Sequence, residues 1–226
     1  MSNSKQTSPL PQPTAFKRAH GEEQKQIRIT QFLDAAAALY EELGYEQVSL
    51  TKISEKLNFH RNNVYNYFNC KEDLFLTLLL QDYTAMVEDA IKTFLPPMED
   101  QEKIAQKFTS LYLRHQRMLE LLSLANTTIL VRASANIHKR YRKQLHELTI
   151  KLQEHLQANI LTDVEPQTVL WLCDNLTVYA VGLYPASLQY KERHDIAIYP
   201  DKRFGSSSFE EVFTPYVKLL LDKTHS

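Results

Sequence analysis

Four glycines in 226 residues leave this chain few places to reverse direction sharply. Glycine supplies the left-handed conformations that tight hairpin turns need, so a turn-rich β protein of this length would carry many more. A glycine-rich phosphate loop is excluded on the same ground, since Gly21, Gly44, Gly182 and Gly205 stand far apart. The chain is therefore expected to be all-α. Ile29, Phe32, Leu33, Ala36, Ala37, Tyr40 and Leu43 recur at three- and four-residue spacing and share one helical face. That helix is expected to begin near Gln24 and to end at Gly44, where glycine takes the conformation a helix stop wants.

A second, short helix is expected over Thr51 to Leu57, with Ser49 as its cap and Ile53 and Leu57 turned inward. Asn58 follows, and asparagine tolerates a left-handed turn better than any residue but glycine. A third helix is expected from His60 or Arg61 through Phe68, anchored by Val64 and Phe68 at i and i+4. Asn69 and Cys70 break it. Lys71, Glu72 and Asp73 then open a long fourth helix to about Phe94, stopped by Pro96 and Pro97. Two short helices joined by a tight turn and flanked by longer ones make a helix-turn-helix unit.

Further helices are expected from Asp100 to about Leu119, from about Leu121 to Val131, from Ile137 to Ile160, from Pro166 through Leu188, and from Phe209 to Leu221. Residues 1–23 are polar and contain Pro9, Pro11 and Pro13, so they are expected to be disordered. Lys17, Arg18 and His20 close that arm, either as part of a solubilising tail or as a basic reach along DNA phosphates.

Several functions are excluded by composition. The net charge is −1, so a nucleic-acid partner must be met by a local patch and not by the whole chain. Cys70 and Cys173 stand far apart without metal-ligand spacing, and His138, His146 and His155 do not form an i, i+4 pair. No metal or cofactor is expected. No nucleophile elbow or His-Glu-x-x-His occurs, and Glu41-Glu42 and Glu210-Glu211 point to different sides of their helices, so an enzyme is not expected. No apolar run approaches a membrane span or a signal peptide, which reads as a cytoplasmic protein.

The third helix is where the chemistry concentrates. With Val64 and Phe68 taken into the core, Arg61, Asn62, Asn63, Tyr65, Asn66 and Tyr67 are left to face outward. Arginine can bond guanine through its fork and asparagine can bond adenine bidentately. Tyrosine can reach a phosphate or pack on a thymine methyl. Between Gln47 and Lys71, four basic residues (Lys52, Lys56, Arg61 and Lys71) stand against one acidic residue, Glu55. An asparagine- and tyrosine-rich surface helix that binds no DNA is the competing reading of the same residues.

Residues 27–80 resemble the DNA-binding domain of the TetR (tetracycline repressor) family of transcriptional regulators. The resemblance rests on Ala36, Ala37 and Tyr40, on Gly44-Tyr45, on Val48-Ser49-Leu50, and on Ile53 and Leu57. It continues through Val64-Tyr65, Tyr67-Phe68 and Lys71-Glu72-Asp73-Leu74. Tyr67 stands where such proteins usually have histidine, Asn58 replaces the usual turn glycine, and His60 takes a place often held by serine. The resemblance implies a DNA-binding domain over 24–72, with its helix-turn-helix at about 48–67, and a larger helical effector-binding and dimerisation domain over 73–226. It implies that Ser49, Thr51, Tyr65, Tyr67 and Lys71 mostly touch phosphates, while Arg61, Asn62, Asn63 and Asn66 read bases. The implied partners are an operator in double-stranded DNA, a second copy of the chain, and a small-molecule effector.

The implied function is a ligand-responsive repressor that binds a palindromic operator as a homodimer. The alternative is a small-molecule-binding or protein-interaction module that has lost DNA binding. Tyr112, His115, Met118, Asn126, Trp171, Asn175 and Tyr179 combine aromatic bulk with polar tips and are the candidate effector-pocket residues.

Overall fold

The structure, a computed structural model, describes residues 14–96, 100–192 and 208–224. The proline-bearing start of the arm and most of the polar loop before Phe209 lie outside the described residues. The chain forms two compact units, Met1–Phe68 and Asn69–Ser226. Among the described residues there is no strand.

In the first unit, α1 spans Thr14–Leu43 and so begins upstream of the expected Gln24, within the stretch expected to be disordered. It ends as expected: Gly44 takes φ 75° and its N–H donates to the Tyr40 carbonyl at 2.8 Å. A 3₁₀ turn, Tyr45–Gln47, leads to α2, Leu50–Lys56. Ser49 Oγ accepts the Lys52 N–H at 3.2 Å and caps α2. Asn58 then adopts φ 53°, the left-handed turn between the two short helices. The third helix, α3, is only Asn62–Tyr65. It is shorter than the stretch from His60 to Phe68 because Tyr67 and Phe68 both donate to the Val64 carbonyl, at 3.0 Å each, which closes the helix as a turn.

The core of this unit is small and aromatic. Phe32, Ile53 and Val64 are wholly buried. Phe59 and Phe68 meet the Phe32 ring edge-on at 6.0 and 6.3 Å. Full burial of a ring such as Phe32 or Phe68 contributes about 1.5–3 kcal/mol, and edge-to-face contact adds roughly 0.5–1.5 kcal/mol more.

The second unit is built on α4, Lys71–Thr93. Its apolar face buries Leu74, Phe75, Leu78, Leu79, Met86 and Val87. Its last carbonyls are met from other helices, by Lys107 Nζ on Thr93 at 3.1 Å and His155 Nε2 on Phe94 at 2.8 Å. After Asp100, whose carboxylate caps it, comes α5, Gln101–Arg114. The expected helix to about Leu119 is broken at His115, where φ −116° and ψ 46° end α5 and start α6, Gln116–Leu124. A π-helical turn, Ala125–Ile129, follows, in which the Leu130 N–H reaches back to the Ala125 carbonyl. The remaining helices are α7 (Leu130–Arg132), α8 (Ala135–Asn159), α9 (Pro166–Glu192) and α10 (Phe209–Thr224). α8 packs along α4; α9 is held by α6, α8 and α10; α10 also covers α5. Among the described residues no helix is long and apolar enough to cross a membrane.

Candidate nucleic-acid interface and ligand pocket

A one-turn helix has little stability of its own, so α3 depends on what seats it. Val64 is wholly buried and Phe68 nearly so, as expected of its anchors. Arg61, Asn62, Asn63, Tyr65 and Asn66 are exposed around it. The Arg61 guanidinium lies 5.6 Å from the Tyr65 ring centroid, an arrangement that restrains a long side chain without removing its donors. From Lys56 to Phe68 the sequence holds no acidic residue, so this surface presents donors and positive charge.

Four expected contacts sit differently. Tyr67 is half-buried, with its ring 5.4 Å from Phe32, so it packs in the core of the unit and is not fully turned outward. Ser49 already uses its oxygen as the α2 cap, and Thr51 is half-buried beside it. Lys71 belongs to the second unit, half-buried in the first turn of α4. His60 was given no contact by sequence reasoning, yet its Nδ1 accepts the Asn62 N–H at 3.3 Å.

In the second unit, a cleft of about 580 Å³ opens between the π-helical turn, α8 and α9. Half-buried Leu122, Leu130, Leu145, Ile150 and Leu170 give it an apolar floor. Asn126, Arg142, His146, Gln167 and Asp174 supply polar walls. Of the residues expected to form an effector pocket, Asn126 alone lines this cleft. The other six are not gathered in one place. Tyr112 is buried and its hydroxyl pairs with Thr177 Oγ1 at 2.9 Å. Met118 is core, and Tyr179 stacks on Tyr216 at 3.9 Å. Trp171 is exposed and Asn175 bonds the Trp171 carbonyl at 2.8 Å. His115 is tied to Asp89 at 3.0 Å.

Charged groups of α4 grip the segment that carries the cleft's π-helical wall. Arg117 binds Asp82 through two hydrogen bonds of 2.8 and 2.7 Å, the fork geometry that makes such pairs strong. Asp73 accepts the Ser134 N–H at 2.7 Å. Arg114 and His115 both reach Asp89, at 2.8 and 3.0 Å. Burial alone would raise the Asp89 carboxyl, but the hydrogen bonds from Arg114 and His115 outweigh it and hold the group below the usual carboxylate range. Cys70 and Cys173 are both free, and burial pushes their thiols up to about 11 and about 12, which leaves little thiolate for chemistry. Among the described residues no cluster of His, Cys, Asp and Glu is suited to a metal.

Residues 32–78 match the family model described as bacterial regulatory proteins, tetR family. Solved structures share the fold over most of the chain. A TetR/AcrR-family transcriptional regulator from Thermobifida fusca YX-ER1 is 22% identical, with 86% of this chain and 97% of that one covered at a TM-score of 0.52. The fatty acid degradation regulator FadR from Bacillus halodurans is 16% identical, with coverage of 86% and 94% and a TM-score of 0.55. Thermus thermophilus FadR, a TetR-family transcriptional repressor solved with lauroyl-CoA, is 17% identical, with coverage of 85% and 93% and a TM-score of 0.56. No curated protein matches by sequence.

Proposed function

On the premise that this chain carries the DNA-binding domain of the tetR family, we propose that it is a ligand-responsive transcriptional repressor that binds a palindromic operator as a homodimer. The observation that carries the reading is the row of exposed Arg61, Asn62, Asn63, Tyr65 and Asn66 on and beside a short helix seated by buried Val64 and Phe68. Those side chains match what base edges require, and a major groove admits an element of this width. Two copies would place their α3 helices in half-sites about 34–36 Å apart or a multiple of that.

A second copy has an apolar surface to cover. Trp171 and Val178 on α9 and Leu219 on α10 are 43%, 74% and 53% exposed, unusual for large apolar side chains on helices whose other faces are core. The cleft walled by Asn126, Arg142 and Asp174 is the effector site in this reading. Its volume lies within the roughly 300–1,000 Å³ usual for small-molecule pockets, and its floor suits a ligand with an apolar body. An effector acts by binding more tightly to the conformation that does not fit the operator.

The test is a titration of the purified protein into the DNA upstream of its own gene and into a scrambled duplex, at one stated salt concentration. Preferential binding of the upstream DNA is expected. Equal binding to both duplexes sinks the regulator and leaves a helical module that binds small molecules or proteins.

A further inference from the structure

The backbone leading into α3 is closely specified. The Phe59 N–H donates to the Ser54 carbonyl at 2.9 Å, and the Arg28 guanidinium lies 4.3 Å above the Phe59 ring. His60 follows on this fixed base, and its own side chain is exposed. It takes up two N–H groups at the start of α3: Nδ1 accepts from Asn62 at 3.3 Å and the carbonyl accepts from Asn63 at 2.8 Å.

A ring nitrogen that accepts carries no hydrogen. The neutral imidazole of His60 therefore holds its hydrogen on Nε2, at the far edge of the ring. This Nε2–H has no acceptor among the described residues, and it stands next in sequence to Arg61 on the surface that presents donors. DNA offers acceptors to such a surface, in phosphate oxygens and in the N7 and O6 atoms of guanine.

We propose that His60 is a further DNA-contacting residue, whose Nδ1 holds the first turn of α3 while its Nε2–H donates to an acceptor oxygen or nitrogen of the operator. The proposal rests on the reading of the chain as an operator-binding regulator. Serine in this place would satisfy the Asn62 N–H but would not reach beyond it. Histidine couples the shape of the reading helix to a contact made by the same ring.

The test uses the full chain and a duplex that the wild-type protein has selected from a random-sequence library, at about pH 8. His60→Ser keeps the cap and removes the donor; His60→Ala removes both. His60→Ser is expected to melt with the wild type and to bind roughly three- to tenfold more weakly, the worth of one neutral hydrogen bond. His60→Ala is expected to bind more weakly still and to melt lower. Single methylphosphonate or 7-deazaguanine substitutions in the duplex separate the acceptors: the wild-type advantage over His60→Ser vanishes on the duplex that lacks the atom contacted.

Wild-type affinity in His60→Ser overturns the contact, and identical melting of the serine and alanine variants overturns the cap. Nitrogen-15 NMR of the free protein reads the tautomer directly, and a hydrogen on Nδ1 overturns the proposal without reference to DNA. Failure of the wild type to select any sequence is the failure of the regulator reading, and the contact falls with it while the tautomer still decides the cap.

Discussion

On α4, Asp73, Asp82 and Asp89 are each met by a group from α5, α6 or the turn before α8, while Arg61, Asn62, Asn63 and Asn66 around α3 stand exposed in water. The two units thus use hydrogen-bonding side chains in opposite ways. In the second unit they are spent on fixing one helix against another. In the first the side chains around α3 are mostly kept open, and a small core of aromatic and aliphatic side chains holds the fold. A surface proposed to read DNA has to leave its polar groups without internal partners, so stability there must come from elsewhere.

The comparison is broken most sharply by Phe32→Ala. Truncating the ring at the centre of the small aromatic core should cost about 3–5 kcal/mol in urea unfolding and abolish DNA binding. A loss under about 1 kcal/mol would show that the reading unit does not rest on that core. Arg117→Ala tests the other unit by stranding a carboxylate that is 8% exposed. The expected loss is about 3 kcal/mol of stability, with the order of preference among duplexes unchanged. A variant as stable as wild type would make this a surface-grade pair.

Arg61→Ala should leave stability as it is and cost roughly 1–3 kcal/mol in operator affinity, with relaxed preference at one base pair. Wild-type affinity and preference would remove Arg61 from the reading set. The smallest effect is expected at Asp89, which lies near the protein surface. Its carboxyl is lowered in the fold, so it adds stability above the unfolded value near pH 4. That contribution is lost as pH falls through the lower, folded value. Asp89→Asn should cost less than about 1 kcal/mol at neutral pH and make the acid decline of stability shallower; an unchanged acid limb would dissociate Asp89 from it.

What the residues disclosed, and what they did not, divides along the same line. Gly44 and Asn58 were legible because a positive φ has few tenants, Val64 because a helix has one inward face, and Phe68 because the turn that closes α3 still brings it back beside Val64. The break at His115 was not legible, since no glycine or proline marks it. The helix bends where the imidazole is drawn to Asp89 on α4, a tertiary contact that overrides local pattern. Tyr67 looked outward by position, yet its ring had an aromatic neighbour in Phe32 from a distant part of the sequence. The cleft escaped for a related reason. A search for aromatic residues with polar tips finds core rings such as Tyr112, whereas a cleft is a gap between helices, lined by ordinary leucines and by the polar sides of α8 and α9. His60 departs from the resemblance in sequence, but the partner of its Nδ1 is a backbone group that no side-chain pattern contains.

The π-helical turn at Ala125–Ile129 bears on how that cleft came to have its third wall. A π turn holds one residue more than the α-helix around it, so everything beyond it is out of phase by a single step, about 100° of rotation. Wound instead as uninterrupted α-helix, the same residues would carry the chain through that extra step. Leu130 would then swing by that angle relative to Leu122, and the two could no longer share a floor. The floor of the cavity thus rests on a turn that takes up one residue of surplus chain and keeps the leucines on either side of it in phase.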